Sequence, residues 1–233
     1  MAIHEAAAGP VAWHRFEALG DASEALAEAV AIRLAAVIEA RGAALIAVPG
    51  GTTPARFLAA LGAHDVAWDK VTLLPTDERF VSPGDAASNE RMIRASFAPL
   101  AQDRARFLSF HDHGDDLETA ASAISGALAD LPPIDILVSG MGADGHIASL
   151  FPGDDHALGA DPAHHAVAAR PPGLPERISL SPSRLAEAGW AALLVSGAEK
   201  QQTLASAQAL PASFPVGLLL GRQQGLDVYW SKV

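Results

Sequence analysis

Continuous apolar runs punctuate this chain, and each stops at a turn rich in glycine, proline or charge. Residues 43–48, 71–75, 134–138 and 190–195 are unbroken enough to read as strands buried on both faces of a parallel sheet. Residues 13–16, 107–110, 177–181 and 227–230 predict further, shorter strands. Between them apolar residues recur at helical spacing. Leu26, Val30, Leu34, Val37 and Ile38 predict a helix over 21–41, with Asp21 or Ser23 as its cap and Gly42 as its stop. Helices are also predicted over 55–61 with Pro54 in the first turn, from Ser88-Asn89-Glu90 to 97, over 115–129, briefly after Pro182, and from 196–200 to about 207.

Strand–helix alternation of this kind predicts an α/β fold, a parallel-rich open sheet with helices on both faces, Rossmann-like in outline. With 233 residues and no linker, composition break or internal repeat, the chain reads as one domain over 1–233. No apolar run is long enough to span a bilayer, and the N-terminus lacks a basic and apolar targeting signal, so a soluble, cytoplasmic protein without a membrane partner is expected.

Composition narrows the chemistry. Half the residues are apolar and 18% are charged, which excludes a disordered chain. Cysteine is absent, and with it thiol catalysis, disulfides and cysteine-ligated metals. A formal net charge of −11 argues against nucleic acid as a partner. It also means that a phosphorylated ligand needs cations gathered locally.

The stretch from Ile134 to Gly153 concentrates candidate chemistry. A buried-strand run meets Gly140, Gly142 and Gly145, where the backbone can bend and a ligand can approach it closely. Asp144 and His146 follow at the far side. A helix beginning at 147–150 would point unpaired N–H groups at the same place, suited to an oxyanion or phosphate. His146 suits a general base because imidazole titrates near neutrality; Asp144 would orient it or stay within the loop. Residues 140–145 also satisfy the dinucleotide pattern G-x-G-x-x-G, with Asp161 about twenty residues on. Against that reading, Asp144 would set a carboxylate where a pyrophosphate belongs, and Asp161 lies in a Gly/Pro-containing loop.

Three other turns carry polar groups. Pro49-Gly50-Gly51-Thr52-Thr53-Pro54 offers N–H groups and hydroxyls at a helix start, an anion cradle in miniature. Thr76-Asp77-Glu78-Arg79 sets charges beyond the carboxyl end of a strand, where open α/β sheets bind ligands. Lys200 falls in a helix's first turn, against the dipole, which a bound anion would explain. The cluster His111-Asp112-His113-Gly114-Asp115-Asp116, and Asp154, Asp155, His156, His164 and His165 in a polar loop, read as solvated segments and not as metal sites.

Taken in order, Gly50-Gly51-Thr52-Thr53-Pro54, Thr76-Asp77-Glu78-Arg79 with Ser88-Asn89, Gly140 to Gly153, Arg177-Ile178-Ser179-Leu180 and Ser196-Gly197-Ala198-Glu199-Lys200 resemble the glucosamine-6-phosphate isomerase/6-phosphogluconolactonase family, on its lactonase side. The resemblance implies that fold and a metal-free, cofactor-free hydrolysis of 6-phospho-D-glucono-1,5-lactone in the pentose phosphate pathway. It implies His146 as base on water, Asp144 and Asp77 as orienting groups, and Arg79 or backbone N–H groups of the Gly140 to Gly145 turn as oxyanion stabiliser. Gly50, Gly51, Thr52, Thr53, Asn89, Gly142, Gly145, Arg177 and Lys200 are the implied substrate- and phosphate-binding set, in a monomer or small homo-oligomer. The rival within the family is an amino-sugar phosphate deaminase, which carries a glutamate where this chain has Phe151 and an aromatic residue where it has Arg79. A sugar-phosphate-sensing regulator would need a DNA-binding segment for which the chain has no room.

Overall fold

The computed structural model describes residues 9–97, 101, 103–111, 114 and 116–233. Its strands are β1 (Val11–Phe16), β2 (Ala44–Val48), β3 (Val71–Pro75), β4 (Asp77–Arg79), β5 (Arg106–Phe107), β6 (Ile136–Ser139), β7 (Ala166–Ala169), β8 (Arg177–Leu180), β9 (Trp190–Ser196) and β10 (Leu226–Ser231). The helices are α1 (Leu19–Arg41), α2 (Thr52–Gly62), α3 (Asn89–Ser96), α4 (Leu117–Ala129), α5 (Asp155–Leu158), α6 (Pro182–Ala186), α7 (Ala198–Ala209) and α8 (Gly217–Leu220).

Seven strands form an all-parallel sheet in the order β1-β10-β9-β6-β2-β3-β5. The apolar runs work because neighbouring residues bury into opposite faces. In β2, Leu45 and Ala47 join one apolar cluster while Ala44, Ile46 and Val48 join the other; in β9, Ala191, Leu193 and Val195 alternate likewise with Ala192 and Leu194. Leu26, Val30 and Leu34 of α1 with Phe57, Leu58 and Leu61 of α2 cover one face. Ile124 and Leu128 of α4 with Leu204 of α7 cover the other. The parallel-rich sheet with helices on both faces is therefore as expected.

Several details differ from the sequence reading. The helix expected from 21 begins at Leu19, with no side-chain cap from Asp21 or Ser23, although the Gly42 stop stands at φ 81° and donates its N–H to Ile38 O. α2 begins at Thr52, so both threonines belong to the helix, with Pro54 in its first turn as expected. The strand expected over 107–110 is only the two-residue β5, because the ladder to β3 ends at Phe107. Of the cluster at 111–116, Asp112, His113 and Asp115 lie outside the described residues; Asp116 caps α4 by accepting from Thr119 N at 2.8 Å. Residues 154–165, expected as loop, include the short α5.

A second sheet was not foreseen. β4 pairs antiparallel with β8, and β8 with β7, in the order β4-β8-β7. A three-residue strand and a four-residue alanine-rich strand are too short to show a period.

The sheet order places the site. From β2 the chain runs outward to β3, and it later returns to lay β6 along the other edge of β2, so strand order reverses between β2 and β6. Ligands of open α/β sheets bind at such a switch, beyond the carboxyl ends of the strands. β9, β6, β2 and β3 are adjacent, and the turns leaving their carboxyl ends are the four singled out above.

Candidate active site

Those turns enclose a cavity of about 270 Å³. Of the expected residues, Gly50, Gly51, Thr52, Thr53, Asp77, Arg79, Asn89, Gly142, His146, Arg177 and Lys200 line it, although they come from segments as much as 150 positions apart. Asp144 and Gly145 are not among its lining residues. A larger cavity, about 590 Å³, opens beside Pro152 and Phe214, but among the described residues Asp155 is its sole ionisable lining residue and no cation lines it. The smaller cavity is the one lined by an imidazole and by cations.

His146 rests on a closed loop in which Gly142 N donates to His146 O at 2.9 Å and Gly145 N to Gly142 O at 3.1 Å. Gly142 must lack a Cβ, which would lie 2.2 Å from the imidazole, and Gly145 stands at φ 83° with Phe214 beneath it. Asp144 Oδ1 lies 2.6 Å from His146 Nδ1, leaving Nε2 for the cavity.

No helix follows. Leu150 N–H bonds Ile147 O at 2.9 Å, making residues 147–150 a tight turn with Ala148 in the left-handed region at φ 49°. A dinucleotide loop needs a helix N-terminus at this point, so the geometry removes that reading. Among the N–H groups of the turn from Gly140 to Gly145, those of Gly142 and Gly145 are spent within the loop, and their glycines serve the turn.

The turn does something the sequence reading missed. It carries Ser149, fully buried, onto Asp77, donating from Oγ to Oδ2 at 2.6 Å. Thr76 Oγ1 donates to Asp77 Oδ1 at 3.1 Å, and Arg177 Nη1 stands 3.9 Å from Oδ2. Asp77 is thus held on three sides, and no ion pair to Arg79 forms.

Glu78 was also missed. A strand sends alternate side chains to opposite sides, so with Asp77 and Arg79 facing the cavity, Glu78 turns away. It is 1% exposed, and its carboxylate accepts from the N–H groups of Arg79, Asn89 and Glu90 at 2.7 to 2.8 Å and from Ser88 Oγ at 3.1 Å. Its negative charge sits at the N-terminus of α3, where the dipole favours it. This pins Asn89, whose Nδ2 donates to Asp77 O at 2.7 Å and whose carbonyl oxygen occupies the space a Cβ on Gly50 would need.

Three cations line the same cavity. β4 and β8 set Arg79 directly against Arg177, and Lys200 approaches from α7. Burial chiefly lowers the proton affinity of Arg177, with Asp77 opposing and Arg79 adding to the effect. Burial likewise pulls Lys200 below the ordinary lysine value of 10.5, opposed by Glu199. α2 and α7 both start from a glycine in a backbone region open almost only to glycine, Gly51 at φ 106°, ψ 173° and Gly197 at φ 91°, ψ 161°, and neither start has a side-chain cap. Thr52 and Thr53 of the first turn of α2 and Lys200 of the first turn of α7 line the cavity, so these helix starts add positive potential to it.

An open parallel sheet whose switch-point cavity is lined by a His146 imidazole paired with Asp144 and by Arg79, Arg177 and Lys200 has the layout of an α/β enzyme. The model of the glucosamine-6-phosphate isomerases/6-phosphogluconolactonase family matches residues 18–230, and the chain belongs to that family. Over 229 residues it is 38% identical to a 6-phosphogluconolactonase of Mesorhizobium japonicum, covering 94% of each chain. It is 38% identical over 209 residues to one of Pseudomonas putida, covering 88% of this chain and 86% of that one. Its fold is similar to the crystal structure of a 6-phosphogluconolactonase from Shewanella baltica, with a TM-score of 0.89 at 29% identity over 97% of this chain and 99% of that one.

Proposed function

We propose that this chain hydrolyses 6-phospho-D-glucono-1,5-lactone to 6-phospho-D-gluconate without a metal, with His146 as general base on water. The observation that carries this reading is the shared cavity, in which an imidazole with Nδ1 held by Asp144 faces Arg79, Arg177 and Lys200. His146 Nε2 removes a proton as water attacks the lactone carbonyl carbon. The oxyanion that forms is stabilised by a guanidinium, Arg79 being the candidate, a role worth roughly 3 to 4 kcal/mol per donor. Collapse breaks the bond to the ring oxygen, and His146 returns its proton there. The new acid ionises, so one proton is released per turnover.

Lys200, Arg177 and the first turn of α2 at Thr52 and Thr53 hold the phosphate. Asp77, committed to Ser149, Thr76 and Arg177, serves to fix Arg177 and not to move protons. Among the described residues no group of three His, Asp or Glu side chains is arranged to hold a metal ion. The deaminase alternative needs a carboxylate where Phe151 presents a ring to the imidazole at 4.4 Å.

The test is acid release from freshly generated 6-phosphogluconolactone with chelator present, measured above spontaneous opening. Catalysis that vanishes in chelator and returns with a divalent ion refutes the metal-free mechanism. Equal kcat/KM for phosphorylated and unphosphorylated lactone refutes the phosphate assignment.

A further inference from the structure

Phe151 is buried, 8% exposed, yet it belongs to neither of the two apolar clusters that cover the sheet. Its neighbours are groups of the site. The ring lies 4.4 Å from the His146 imidazole, centroid to centroid, with planes tilted by 31°, and the Arg177 guanidinium carbon stands 5.4 Å from its centre. The left-handed turn at Ala148 makes this possible, since it folds the chain back between Ile147 and Leu150 and returns residue 151 onto residue 146.

Asp144 holds the imidazole through Nδ1 alone, and a ring tethered at one nitrogen can still swing about that bond. A flat apolar surface against its face removes this freedom and keeps water from that side. Arg177 has a second tether in Asp77 and depends on the ring less. Holding a reacting group within a narrow range of geometry is worth as much in rate as many direct contacts.

We propose that Phe151 is a positioning residue that fixes the imidazole of His146 with Nε2 toward the cavity, acting on turnover and not on binding. This rests on the general-base role proposed for His146. The step is steric and moves no atoms of its own.

The experiment compares Phe151→Leu, which keeps apolar bulk and loses the flat face, with Phe151→Tyr, which keeps the face, each alone and in a His146→Asn background. Phe151→Leu should lower kcat roughly 10- to 100-fold while KM and 6-phosphogluconate binding stay within about threefold. Phe151→Tyr should recover most of the loss. In the His146→Asn background Phe151→Leu should change residual turnover by less than about twofold, because both substitutions then remove the same contribution. Should Phe151→Leu not fold, Phe151→Met replaces it with the same expectations. An unchanged kcat, or an equal drop with and without His146, overturns the positioning role. If His146→Asn is inactive while Phe151→Leu keeps the wild-type kcat, this inference alone fails; if His146→Asn turns over at the wild-type rate, the base assignment fails and this inference with it.

Discussion

Arg79 and Arg177 stand directly opposite each other in the antiparallel ladder of β4 and β8, two guanidiniums in a cross-strand pair. Like charges so placed repel, by a few tenths of a kcal/mol up to about 1 kcal/mol in exposed pairs. Asp77, 3.9 Å from Arg177, offsets this only in part, and Lys200 lines the same cavity. A bound anion would offset this repulsion.

From this we predict that 6-phosphogluconate raises the melting temperature where gluconate does not. At a hundredfold excess over Kd the gain is about 2.7 kcal/mol. Added salt should shrink it, since screening weakens both the repulsion and its relief. Equal shifts from the two ligands in thermal unfolding would show that the cations do not read the phosphate.

Replacing the imidazole separates chemistry from structure. His146→Asn should fold and bind 6-phosphogluconate while kcat falls roughly 10²- to 10⁴-fold. Steady-state rates corrected for spontaneous opening decide it, and near wild-type turnover would leave Arg79 to act without a base.

Lys200 links binding to pH. Because burial lowers its proton affinity, it loses its charge at a lower pH than an exposed lysine, and affinity for the phosphorylated ligand should weaken as pH rises through that lowered value. The stability sign is opposite: the charged form is disfavoured on folding, so the penalty is complete below the folded-state value and fades as pH climbs toward the unfolded-state one. Lys200→Ala should lose roughly 1.5 to 3 kcal/mol of binding to phosphorylated ligand. Lys200→Arg, charged throughout, should lack the alkaline fall in a calorimetric titration.

Ala148 holds a left-handed conformation that costs an L-residue roughly 1 to 2 kcal/mol. Ala148→Gly removes that strain but adds unfolded-chain entropy of similar size, so denaturant titration should find stability within about 1 kcal/mol of wild type. Ala148→Val, branched at Cβ, should be clearly less stable and less active, since Ser149 and Phe151 are both placed by this turn. A Val variant equal to wild type in both respects would mean that the turn relaxes without consequence.

The sequence by itself determined the sheet and the address of the site. Apolar runs such as 43–48 and 190–195 can be buried only on both faces, and in an open sheet the turns at their carboxyl ends are where polar groups collect, so Gly50–Thr53, Asp77, Arg79, His146 and Lys200 were legible as neighbours. What only the tertiary structure decided is what each group is bonded to. β4 and β7 are too short to show a period, so the pairing that opposes Arg79 to Arg177 has no sequence signal. Glu78 reads as one charge among three until α3 brings its N-terminus down on it. Residues 147–150 look helical because local propensity favours it, yet the bonds from Ser149 to Asp77 and Ser179 are satisfied only by a left-handed turn. Contacts between residues 72 positions apart outweigh the local preference there, and local preference is what a sequence displays.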